Sequence, residues 1–124
     1  MTSYTHHQTL NDIRWWTGMP VALRVGGNIV QVRARGSVIL TVTDAARLSA
    51  QVANPDDLNS ILTPQINAAA IDALGELSQA AANLTQLTTI TSANSKVFTT
   101  NIDNKLATWG VQVNRLTIEA IESV

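Results

Sequence analysis

Cysteine is absent from this 124-residue chain, which removes disulfide frameworks, thiol nucleophiles and thiolate metal sites. The absence fits a reducing compartment, and a cytoplasmic location is expected. Aromatic residues make up 4% and charged residues 14%, against 45% hydrophobic. That balance argues against disorder, and so little charge suggests that a partner covers part of the surface. Basic residues are not in excess: the net charge is -1, so nucleic acid is not an expected ligand. No apolar run approaches the roughly 18 residues of a membrane span. Met1 to Leu10 is too polar for a secretory signal, and without one the sequon Asn83-Leu84-Thr85 carries no weight.

Catalytic patterns are equally scarce. His6 and His7 are the only histidines, and nothing completes a metal shell around them. Asp44, Asp56 and Asp57 stand where helix starts favour acids. Gly26-Gly27 lacks the Lys and Ser/Thr of a phosphate loop, and no Gly-x-Ser-x-Gly elbow exists. The expectation is a non-enzyme with no cofactor and no metal. An enzyme would need a pocket that gathers Asp44, Asp72 or His7.

What is present is a strand-then-helix order. In "NIVQVRARGSVILTVTD", Val30, Val32, Ala34, Val38, Leu40 and Val42 share one parity, and Gln31, Arg33, Arg35, Ser37, Thr41 and Thr43 the other. This is a strand with one buried face. Gly36 keeps the parity and marks a bend or a close backbone approach. Gly26-Gly27 reads as a tight hairpin that needs positive φ, with Asn28 as a further candidate for the turn. Asp44 opens a short helix that Asn54-Pro55 ends. From Leu58 to Leu77 an apolar stripe at spacings of three and four marks a long helix. Pro64 either kinks it or stands first in a new helix capped by Thr63; the unbroken phase favours the kink. Leu84, Leu87 and Ile90 make one further turn. Ser92 or Asn94 then caps a helix with the stripe Phe98, Ile102, Leu106 and Trp109. Gly110 fits a left-handed helix end, and "VQVNRLTIEAI" returns as a strand. The fold class is α+β: a small antiparallel-rich sheet with a long helix and shorter helices on one face. Residues 1–12 read as a disordered or tag-like segment and 13–124 as one domain.

Two features point to contacts. Arg33 and Arg35 project from one strand face, with Arg24 across the hairpin, a stripe suited to acidic lipid headgroups or an acidic partner. Trp15 and Trp16 are adjacent on a strand, so one is buried and the other faces solvent or a partner. Trp15, Trp16, Arg24, Arg33 and Arg35 are therefore the candidate interface. Residues 1–55 carry five Arg against Asp12 and Asp44, and residues 56–124 carry Lys96, Lys105 and Arg115 against seven acids. Balances of +3 and -4 could steer head-to-tail association.

Three stretches resemble the SPFH or band 7 superfamily, the stomatin, prohibitin and flotillin group, and more narrowly its bacterial virion-core-protein-like branch. "IRWWTGMPV" at 13–21 is similar to that branch's Trp-Gly-Thr-x-x-Pro segment, although Trp16 stands where the branch usually has Gly. "VRARGSVILTVTDAARL" at 32–48 is similar to its strand running through a glycine into an Asp-led helix. "NIDNKLATWGVQVNRLTIEAI" at 101–121 is similar to the superfamily's helix, Trp-Gly turn and closing strand. Family domains carry further strands before this point, so the chain is expected to be the second half of the domain, either excised or from a reduced relative. The family's coiled-coil segment would follow Val124. The resemblance implies a homo-oligomeric scaffold that binds protein partners and works at the inner face of a membrane by peripheral contact. The alternative is a stand-alone small-molecule or peptide binding domain with an apolar pocket lined by Trp109, Phe98 and Leu74.

Overall fold

The computed structural model describes residues 4–124. Its elements are β1 (Thr9–Trp16), β2 (Val21–Val25), β3 (Asn28–Val42), α1 (Ala45–Gln51), α2 (Leu58–Ala80), α3 (Leu84–Thr88), α4 (Ser92–Leu106) and β4 (Val111–Ser123). The strands form one antiparallel sheet with the helices on one face, an α+β architecture.

The long strand β3 is the axis of the sheet. Along one edge it pairs with β4 from Val32↔Ser123 to Val42↔Val111. Along the other it pairs with β1 and then β2, which follow each other end to end: Trp16 faces Arg35, Thr17 N donates to Ala34 O at 3.0 Å, and Val21 faces Val32. Gly26 and Gly27 turn β2 into β3 at φ 57° and 85°, the positive values a two-residue hairpin demands. Val32, Ala34, Val38, Leu40 and Val42 are at most 4% exposed, while Arg33 and Arg35 face solvent. Gly36 sits where the β3–β4 register slips. A methyl there would collide with the Thr117 carbonyl and lie 2.7 Å from the Trp15 ring, so the glycine serves a close approach.

Helix α2 crosses the sheet and packs on α4. It runs unbroken through Pro64, so Thr63 does not cap a second helix. Asp44 caps α1, accepting from Arg47 N at 3.0 Å. The cap of α4 is Thr91, one residue before the candidates Ser92 and Asn94: its hydroxyl accepts from Asn94 N at 3.1 Å. Asn94 instead donates its amide to Thr89 O at 2.7 Å. A short 3-10 turn, Ala107–Trp109, ends α4, and Gly110 at φ 78° reverses the chain into β4. The Gly110 carbonyl accepts from both Thr43 N and Asp44 N, which ties the end of β3 to the start of β4.

The core lies between the two layers. Trp15, Leu62, Ile66, Leu74, Phe98, Ile102 and Leu106 are essentially inaccessible, with the Trp15 and Phe98 rings 5.5 Å apart. Phe98 and Leu74 therefore fill this core, with half-buried Trp109 packed against it, rather than lining a pocket. A disordered or tag-like start does not describe residues 4–12. Tyr4 is buried, His7 N donates to Val42 O at 2.8 Å, and β1 opens at Thr9. The physical reason is the length of β3, whose end would otherwise lack a partner on that edge. For residues 1–3 the expectation lies outside the described residues.

Candidate interaction surface

The face of the sheet away from the helices carries the candidate residues. Trp16, Arg33 and Arg35 lie together on it, and Arg24 joins them because its register partner is Ile29, of the same parity as Arg33. Trp15 does not. It is 2% exposed in the core, so alternation removes it from any contact surface and gives that role to Trp16, at 57% exposure. Ile29, opposite Arg24, and Met19, in the connection between β1 and β2, are also exposed. Trp16, Arg33, Arg35, Ala120 and Glu122 enclose a shallow depression of about 250 Å³.

Two acids missed in the sequence complete this face. Glu119 accepts from Arg14 at 2.9 Å and lies 3.6 Å from Arg35, whose guanidinium also reaches Glu122 at 3.4 Å. A chain of alternating charge thus crosses the sheet from β1 over β3 to β4. Glu119 and Glu122 are three residues apart and should alternate faces, yet an extra residue in β4 opposite Arg35 and Gly36 brings both to one side. Among the described residues Arg24 and Arg33 form no ion pair. Arg115, exposed on the same face opposite Ile39, is likewise outside the ion pairs.

Each margin of the sheet is partly guarded by a helix. At the β1 margin, Trp16 N donates to Asn67 Oδ1 of α2 at 2.9 Å. At the β4 margin, Val113 N donates to Asp103 Oδ1 of α4 at 2.7 Å. Between β2 and α2 the margin stays open as a groove of about 690 Å³.

No group of three or more His, Asp or Glu among the described residues is placed to hold a metal ion. Asp44 caps α1, Asp72 is exposed on α2, and His7 sits in the turn before β1. These three acid–base candidates thus stand on separate elements.

Residues 16–123 match the SPFH domain / Band 7 family. The chain belongs to that family. SPFH domains are generally scaffolding or membrane-associated modules, generally non-catalytic, and SPFH proteins commonly oligomerise. The matched span begins at Trp16 and takes in Arg24, Arg33, Arg35, Glu119 and Glu122. No curated protein matches the chain. Among the described residues of this SPFH domain no helix is long and apolar enough to cross a membrane.

Proposed function

We propose that this SPFH domain is a non-enzymatic assembly module that self-associates and binds protein partners, serving as a scaffold at the inner face of a membrane. The observation that carries the reading is the bare outer face of the sheet, where Trp16 and Ile29, at 57% and 68% exposure, share a face with the unpaired Arg24 and Arg33. Large apolar side chains exposed on the same face as unpaired cations favour a surface that is covered in use. The motifs around Trp16, Asp44 and Gly110 support placement in the bacterial virion-core-protein-like branch, as the second half of its domain. Arg24 and Arg33 would supply peripheral contact with acidic headgroups.

Light scattering after size exclusion, over a concentration series at low and high salt, tests the self-association. The expected result is a mass well above 13.3 kDa that rises with concentration and falls with salt. A mass of 13.3 kDa throughout would sink it.

A further inference from the structure

We propose that the groove between β2 and α2 receives an extended acidic segment of a different protein, which adds to the free edge of β2 as a further strand. The proposal rests on the partner-binding reading and names the surface that carries it.

The hairpin decides which backbone groups of β2 are free. Gly26 and Gly27 form a two-residue turn closed by Val25 and Asn28, and the residues that close such a turn exchange both backbone hydrogen bonds. Bonded pairs alternate along an antiparallel ladder, so Val25, Leu23 and Val21 turn their N–H and C=O toward β3. Ala22 and Arg24 turn theirs away from it. Both residues line the groove of about 690 Å³, and among the described residues β3 is the single sheet partner of β2. At the other two margins a helix side chain takes an edge amide, Asn67 that of Trp16 and Asp103 that of Val113. The β2 edge keeps the open backbone groups to which a strand adds.

The opposite wall is α2 at Gly75, Ser78 and Gln79. A glycine inside a helix costs about 0.5–1 kcal/mol relative to alanine, and here no internal contact requires it, because a Cβ at Gly75 would meet nothing within 4 Å. The space over it is open to side chains from outside. Ser78, 7% exposed, donates its hydroxyl to the Gly75 carbonyl at 2.7 Å, which leaves the hydroxyl oxygen able to accept from an incoming donor. At the turn the groove is closed, since a Cβ on Gly26 would collide with the Ala82 carbonyl.

Charge selects the occupant. Arg24 is the single charged residue that lines the groove; it is exposed and forms no ion pair among the described residues. Side chains of an added strand alternate between the two faces of the sheet. Those on the outer face stand beside Arg24, where an opposite charge attracts and a like charge repels. Those on the inner face lie over Gly75 and Ser78, where small residues fit. The segment that matches both walls carries aspartate or glutamate at alternate positions with small residues between them. A second copy matches them poorly, because Glu119 and Glu122 of β4 are already held by Arg14 and Arg35, and Arg115 of the same strand is exposed.

A library of random decapeptides displayed on phage, selected on the whole chain, tests the proposal. The enriched peptides are expected to carry acids at alternate positions and, added as free peptides, to shift the backbone amide resonances of Ala22 and Arg24. Gly75→Leu fills the groove and removes a glycine from the helix. Its melting temperature is expected to be no lower than wild type, and its affinity for the enriched peptides to fall at least about tenfold. Arg24→Glu is expected to weaken the same peptides and to select basic ones in a repeated screen. Enriched peptides that bind a folded Gly75→Leu chain and Arg24→Glu as tightly as wild type, or that depend on Trp16 instead, overturn the proposal and leave the partner-binding reading standing. A screen without binders, with self-association that Gly75→Leu weakens, gives the groove to a second copy and overturns the proposal. A screen without binders and no such effect overturns the proposal and the partner-binding reading together.

Discussion

Trp15 and Trp16 differ by one position, and the pleat separates their roles: one ring rests 5.5 Å from Phe98 in the core and the other stands in solvent. Trp16→Ala is accordingly expected to change stability by less than about 0.5 kcal/mol, as surface substitutions usually do, while weakening any partner that uses the outer face. Chemical denaturation beside a binding assay would separate the two effects. Gly36→Ala should behave oppositely. Its methyl meets the Thr117 carbonyl and the Trp15 ring, and overpacking of this kind costs about 1–3 kcal/mol, read as a lower denaturation midpoint. Tyr4 makes a third prediction. Burial first and the Asp57 carboxylate second hold its hydroxyl above the ordinary phenol value of 10.0. A raised folded-state pKa contributes stability that is complete below the unfolded value and declines as pH rises through the folded one. Wild type should therefore lose stability above about pH 10 more steeply than Tyr4→Phe. Melting curves of equal pH dependence would refute this.

Elements were readable wherever one periodicity ran without interruption. The alternation of β3, the stripe of α2 and the helix-ending Gly110 are each one regular signal, and each appears where the pattern puts it. Irregularity hid the rest. Leu10 faces Leu40 but Ile13 faces Val38, a three-residue step against two, so the bulge broke the alternation that would have revealed β1 from Thr9. A similar slip in β4 concealed the shared face of Glu119 and Glu122. The cap of α4 was obscured for another reason, since Thr91, Ser92 and Asn94 are all competent caps and only geometry selects Thr91. Thr91→Ala should cost about 1 kcal/mol, whereas Ser92→Ala should cost a few tenths at most. Paired denaturation curves would check the difference.

At the scale of the whole molecule, the two sheet faces have different fates. The inner face was legible because burial imposes pattern. The outer face was legible only in its arginines, because the acids that answer Arg14 and Arg35 come from a strand at the other end of the chain. These exposed bridges should contribute little, and Glu119→Gln is expected to lower stability by less than about 1 kcal/mol. Raising salt should likewise leave the unfolding midpoint of this domain nearly unchanged. A large salt-induced drop in that midpoint would mean the outer charges hold the fold itself.

The placement of β3 has a kinetic consequence. The strand is finished at Val42, and its partner along one entire edge begins only at Val111. During synthesis the longest strand must wait, half-paired, while the whole helical stretch emerges. Closing so long a loop raises the contact order and slows folding. The nascent sheet of β1, β2 and β3 is thus the stage at which this chain is most exposed to aggregation or chaperone capture.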